Sequence, residues 1–133
     1  MTLVVDASTV IAALTDSGPT GRWSEAQLAT GPLIAPHLLM VETTHVLRRA
    51  ALTGRLTADV ASLAFAHLRL LPVELSSFDH VADRVWELRD NVSSYDAMYV
   101  ALAELIDAPL ATLDRRLAAA PGPRCEFVLP PTT

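Results

Sequence analysis

Apolar residues fall in short runs along this chain: Leu3–Val5, Leu33–Ala35, Leu71–Leu75, Pro109–Thr112 and Phe127–Leu129. None alternates strictly with polar residues, which is the pattern of strands buried on both faces. Longer stretches of helical character lie between them. "TTHVLRRAALTGRL" and "TADVASLAFAHLRLL" are separated by Gly54, with Thr57 as the N-cap of the second, and "SFDHVADRVWELRD" begins after Ser76 and Ser77. "SSYDAMYVALAEL" is apolar on nearly all sides, as a central buried helix is, with Ala97 and Ala101 small enough to lie close to a sheet. Strand and helix alternate from end to end, which predicts an α/β domain with a mainly parallel sheet covered on both faces. The loop-like pieces are "TDSGPTGR", "APGPRC" and the "PPTT" tail, and there is no internal repeat.

Four acids break this apolar pattern. "LVVDAS" runs three apolar residues straight into Asp6, although an ionised carboxylate is among the costliest groups to take out of water. Asp6 and Asp114 each follow a predicted strand, on the edge where open α/β sheets bind their ligands. Each is equally a good N-cap for the helix after it. Glu42, in "HLLMVETTHVLRR", has Leu38, Leu39, His45 and Val46 three and four positions away, which places it in a largely apolar stripe; pairing with Arg49 or His45 is the alternative. Asp96 lies in the first turn of its helix, where Ser93-x-x-Asp96 resembles a capping box. Ser8 supports Asp6 or simply starts a helix. Thr112 can bond to Asp114 or to a phosphate, and Arg115 and Arg116 can hold a phosphate or neutralise the acid beside them.

The 133 residues suit one domain with a full core. A single cysteine, Cys125, allows no internal disulfide, and with no basic leader at the start the chain is expected in the cytoplasm. Charged residues interrupt every apolar run before it reaches spanning length, so no membrane segment is expected. A 51% hydrophobic share favours an apolar surface patch for a partner. The net charge of −5 argues against a polyanionic substrate, unless the acids bind divalent cations and invert the local charge. His37, His45, His67 and His80 lack zinc-site spacing, and neither a phosphate loop nor a nucleophilic triad is evident. Oxygen-only ligands favour magnesium or manganese. Tyr95, Tyr99, Trp23 and Trp86 read as core or interface aromatics rather than base-stacking platforms.

The order "VVDAS", "VETTHVLRR" and "SSYDAMYVALAELIDAPLATLDRRLA" resembles the PIN-domain ribonucleases over nearly the whole chain, and the compact length resembles the VapC-type toxins of bacterial toxin–antitoxin pairs. The resemblance implies a single PIN-like three-layer α/β/α domain over residues 1–133, with a mainly parallel central sheet of about five strands. It also implies that Asp6, Glu42, Asp96 and Asp114 form an acidic quartet holding Mg²⁺ or Mn²⁺ for endonucleolytic hydrolysis of RNA, with Ser8 and Thr112 in support. Asp6 and Asp96 are then expected as direct metal ligands, and Glu42 and Asp114 as ligands through water or to a second ion. A cognate VapB-type antitoxin and a homodimer are implied too. Two other acid-rich α/β families fit less well: a phosphate-accepting receiver needs a lysine and this chain has none, and a haloacid-dehalogenase-type phosphatase needs an acid at position 8, where Ser8 stands. The remaining alternative is a non-catalytic binding or assembly module whose acids only cap helices.

Overall fold

The computed structural model describes residues 1–132; the end of the expected "PPTT" loop, residue 133, lies outside the described residues. Its sheet has five parallel strands in the order β3-β2-β1-β4-β5, with β1 Leu3–Val5, β2 Leu33–Pro36, β3 Val73–Ser76, β4 Leu110–Ala111 and β5 Phe127–Val128. Every residue of β1 is buried, as are both of β4, whereas β3 and β5 at the two edges are only partly covered. This is the α/β architecture that the apolar runs predict. The third run is displaced by one or two residues, since the strand starts at Val73 and ends at Ser76.

Helices α1 (Ala7–Thr15), α2 (Pro19–Leu28), α3 (Leu38–Leu52) and α4 (Ala58–Leu70) pack on one another, while α5 (Ala82–Glu87) packs on α6 (Ser94–Ile106). The chain steps from β1 to β2 to β3 in one direction and then crosses back to β4. With right-handed crossovers, this puts α1 to α4 on one face and α5 and α6 on the other. Helix α6 lies across β1, β2 and β4, and its Ala97, Tyr99, Val100, Ala101, Leu102 and Ala103 are all buried. The short α7 (Arg115–Ala119) joins β4 to β5. Gly54, in the left-handed region at φ 78°, follows the end of α3, and the Thr57 hydroxyl accepts the Val60 N–H to start α4.

Two expectations are corrected here. "TDSGPTGR" is not wholly a loop, because α2 starts inside it with Gly18 at the N-cap and Pro19 in the first turn, where the missing proline N–H costs nothing. "SFDHVADRVWELRD" is not one helix: a 3-10 turn at Phe78–His80 precedes α5, which ends at Glu87.

Gly21 is what lets α2 lie against the end of α1. A Cβ there would stand 1.7 Å from the Asp16 carbonyl oxygen and 3.0 Å from that of Ala12, and both are backbone atoms that cannot swing aside. Gly21→Ala should therefore destabilise the protein by about 2 kcal/mol or more, seen as a lower urea midpoint. A midpoint equal to that of the wild type would contradict this close packing.

Candidate active site

The strand order reverses between β1 and β4, because the chain leaves β1 towards β2 and leaves β4 towards β5. That divergence opens a crevice at the carboxyl ends of the two strands. Asp6 directly follows β1, and Thr112 directly follows β4, with Asp114 two residues further on. Helix α3 leaves the same edge after β2 and carries Glu42. Helix α6 must run from that edge back towards the start of β4, so its first turn, with Asp96, also lies there. Topology alone thus delivers four acids from distant parts of the chain to one sheet edge.

Asp6 is 7% exposed and is enclosed by donors. Its Oδ1 accepts the Ser8 hydroxyl at 2.7 Å and the Thr9 N–H at 3.1 Å, and the Thr9 hydroxyl lies 3.2 Å away. Its Oδ2 accepts the Thr112 hydroxyl at 2.5 Å. The network extends outward, since the Ser8 oxygen accepts the Leu113 N–H and the Thr112 oxygen accepts the Asp114 N–H. Asp6 therefore caps α1 and also ties the end of β1 to the end of β4. The Thr112 proton goes to Asp6, not to Asp114 or outward.

Glu42 stands at the border of the buried stripe of α3, which is Leu39, Thr43 and Leu47; Val46 is exposed, so the acid is not enclosed by apolar neighbours on its own helix. Its partner is neither Arg49 nor His45. The Tyr99 hydroxyl, from α6, donates to its Oε1 at 2.5 Å. In Asp96 only half of the capping box forms: the Ser93 hydroxyl accepts the Asp96 N–H, and Ser93, not Asp96, is the cap. Asp114 does cap α7, its Oδ1 accepting the N–H groups of Arg116 and Leu117 at 3.0 and 3.1 Å. Neither neighbouring arginine neutralises it. The ion pairs among the described residues are those of Arg84 with Glu87 and Glu104, and Arg115 donates to the Pro130 carbonyl.

The acids feel one another. Burial raises the Asp6 carboxyl above the ordinary carboxylate value, against the lowering effect of its hydroxyl and amide donors. Burial also raises Glu42, and the charges of Asp96 and Asp6 raise it further, while the Tyr99 hydroxyl opposes the rise. Asp96 is raised by burial and then by the charges of Asp114 and Asp6. Each acid is thus linked to at least one other. The four are neighbours and not a closed shell: among the described residues no group of three or more His, Cys, Asp or Glu side chains is arranged to hold a metal ion as it stands. The chemistry of the donor set nevertheless fits a hard divalent cation. All its donors are oxygens, and like charges that raise one another's pKa are relieved by positive charge.

Two residues of the site escaped sequence reasoning. Tyr99, at 1% exposure, is a core aromatic as expected, but its hydroxyl also fixes Glu42. The available signal was its place three residues after Asp96, on the same helix face. Thr9, fully buried, joins Asp6 to the Ala111 carbonyl, 3.0 Å from its hydroxyl. A threonine three residues after a capping aspartate gives no such sign.

The PIN domain family model matches residues 3–123. Ribonuclease VapC1 of Mycobacterium tuberculosis is 42% identical over 127 residues, covering 95% of this chain and 96% of its own. In structure, the chain is similar to Mycobacterium tuberculosis VapC20, a sarcin–ricin loop cleaving toxin, with TM-score 0.67, 20% identity, and coverage of 88% of this chain and 93% of the other. It is also similar to VapBC2 from Rickettsia felis, solved bound to a DNA fragment from its promoter, with TM-score 0.63, 12% identity, and coverage of 96% and 98%. At those identities the two structures establish likeness of fold.

Two outcomes test the electrostatics of the site. A carboxyl whose folded pKa lies above its unfolded value favours folding at low pH, and that contribution is lost as pH rises through the folded value. In metal-free buffer, stability should therefore fall as pH rises from about 4 through the raised range of Glu42 and Asp96. Asp96→Asn should flatten that fall and raise the melting temperature at neutral pH by a few degrees, about 1 kcal/mol; a lower melting temperature would refute the repulsion. Tyr99→Phe removes the donor that holds Glu42 down. The Glu42 carboxyl, followed by carbon NMR, should then titrate at higher pH than in the wild type.

Proposed function

The chain belongs to the PIN domain family, among its VapC-type proteins, and from that premise we propose that it is a metal-dependent endoribonuclease acting as the toxin of a toxin–antitoxin pair. The observation that carries this reading is the convergence of Asp6, Glu42, Asp96 and Asp114 on the carboxyl edge of the sheet, where burial and then the charges of the neighbouring acids raise Glu42 and Asp96. The relatives named as ribonucleases give the reading its substrate class. We read residues 1–133 as one PIN-like domain.

Magnesium is the cofactor proposed, with manganese able to replace it, and Asp6, Glu42, Asp96 and Asp114 would hold it. When bound, such an ion supplies an activated water for attack on phosphorus and positive charge for the leaving oxygen. The protein's own contribution is orientation. Ser8 and Thr112 fix the two oxygens of Asp6 from the ends of α1 and β4, so the carboxylate cannot rotate away. Tyr99 holds one oxygen of Glu42 and leaves the other free. Asp96 caps no helix, and its carboxylate is available, which suits direct ligation; Asp6, whose Oδ2 takes the Thr112 hydroxyl alone, is the other direct ligand proposed. Asp114 has one oxygen engaged with α7, which suits a role through water or at a second ion. Preorganised oxygens of this kind lose little on closing round a cation and a phosphate.

Among the described residues no helix is long and apolar enough to cross a membrane, and the proposed setting is the cytoplasm. A VapB-type antitoxin is the proposed partner, in keeping with the likeness to VapBC2, and the proposed assembly is a homodimer. Exposed apolar residues on α3 and α4, including Val41, Leu52, Val60, Leu63 and Leu70, supply surface for such contacts.

Asp6→Asn is the discriminating variant, because asparagine is nearly isosteric and remains a good N-cap. Purified protein should cleave total RNA in magnesium, lose that activity in EDTA and regain it when magnesium is restored. Asp6→Asn should cut at least about 100-fold more slowly, the loss typical when an electrostatic group is removed from a preorganised site, while its circular dichroism is unchanged. No magnesium-dependent cleavage by the wild type would favour the module whose acids only cap helices.

A further inference from the structure

Helix α6 exposes an aromatic ring in its first turn, next in the chain to Asp96. Tyr95 is 64% exposed, although it directly precedes Asp96 and stands at the start of a helix in which Ala97 and residues 99–103 are all buried. Their Cα atoms are about 3.8 Å apart, and on a helix successive side chains point about 100° apart. Asp96 is half-buried, while the ring that precedes it in the chain is exposed to solvent. The ring does not serve the core, and the cap of this helix is Ser93.

We propose that Tyr95 is a base-stacking residue of this site, holding the face of an unpaired RNA base next to the phosphodiester that lies at the carboxylates. This rests on the ribonuclease reading above. A phosphodiester at Asp6 and Asp96 has a base one nucleotide away on either side, within reach of a side chain anchored one residue from Asp96. The electrostatics favour stacking over ionic contact as the means of holding that base. The chain carries a net charge of −5 and its site gathers four acids, so beyond the charge of a bound cation the protein offers a phosphate backbone little attraction. Stacking on a neutral ring does not depend on that attraction and is tolerant of sequence.

The probe is a short fluorescein-labelled single-stranded RNA of mixed sequence, bound in calcium and followed by anisotropy. A matched strand with abasic ribose at every position serves as its partner. Tyr95→Ala and Tyr95→Gln should weaken binding of the base-bearing strand by about five- to a hundredfold, and neither should change binding of the abasic strand. Tyr95→Phe and Tyr95→Trp should bind both strands as the wild type does. Leu105→Ala, at the far end of the same helix, should change nothing, and all variants should melt near the wild-type temperature because both side chains are largely exposed.

The proposal is overturned if Tyr95→Ala and Tyr95→Gln bind RNA as the wild type does, including the case in which they lose capture of the antitoxin instead. It is overturned too if Tyr95→Phe loses as much as Tyr95→Ala, or if the abasic strand suffers equally. Cleavage of total RNA by the wild type in magnesium is scored separately. Absence of that cleavage fails the ribonuclease reading and the stacking role with it; cleavage together with unaltered RNA binding by Tyr95→Ala and Tyr95→Gln overturns the stacking role alone.

Discussion

The bond from the Thr112 hydroxyl to Asp6 Oδ2 holds the site together, because it joins the ends of the two strands between which the sheet divides. Strands β1 and β4 are short, three residues and two, and their ladder alone gives little leverage on the residues beyond their carboxyl ends. The hydroxyl supplies that leverage. It fixes the Asp6 carboxylate, and the same oxygen accepts the Asp114 N–H, so the position of one acid is tied to the backbone of another. Burying a carboxylate is costly unless its lone pairs meet donors. Ser8, Thr9 and Thr112 are the three hydroxyl residues that make the position of Asp6 tenable.

The same arrangement sets the fold against itself in a controlled way. Helix α6 brings Asp96 and Tyr99 to the edge, and Tyr99 in turn holds Glu42 of α3, so opposite faces of the sheet are connected above its carboxyl end. Burial raises Asp6, Glu42 and Asp96, and the charges of neighbouring acids raise Glu42 and Asp96 further, which is a cost to the folded chain at neutral pH. A fully apolar core beneath them absorbs that cost: Val4, Val5, Val100, Leu110 and Ala111 are all completely buried.

Much of this is legible in the chain itself. A carboxylate at the end of a buried run marks a strand's carboxyl end, and Asp6 and Asp114 both stand where that rule puts them. The near-continuous apolar character of "SSYDAMYVALAEL" identifies the central helix, and the acid in its first turn stands out for that reason. Periodicity is less able to resolve Glu42, since the burial of a side chain at a helix border depends on which neighbour covers it; here the cover is Tyr99, 57 residues away. The start of α2 is hidden because Gly18 and Pro19 read as a turn, although the same pair is a helix-opening signature when apolar contacts come after it. Composition leaves Tyr95 open between core and interface, and its exposure removes only the first.

Helix capping and catalysis are often set against each other as explanations for an aspartate at a helix start, and this site shows why the contrast is false. A carboxylate has two oxygens. In Asp6, Oδ1 serves the first turn of α1 while Oδ2 takes its donor from beyond β4. In Asp114, Oδ1 alone accepts both N–H groups of α7. Capping fixes the side chain by one end and so orients the other, which is what a ligating or charge-stabilising group requires. The capping bonds of these two residues therefore carry no weight against a nuclease. The weight lies with Glu42 and Asp96, which cap nothing, yet stand close enough to Asp6 to be raised by its charge.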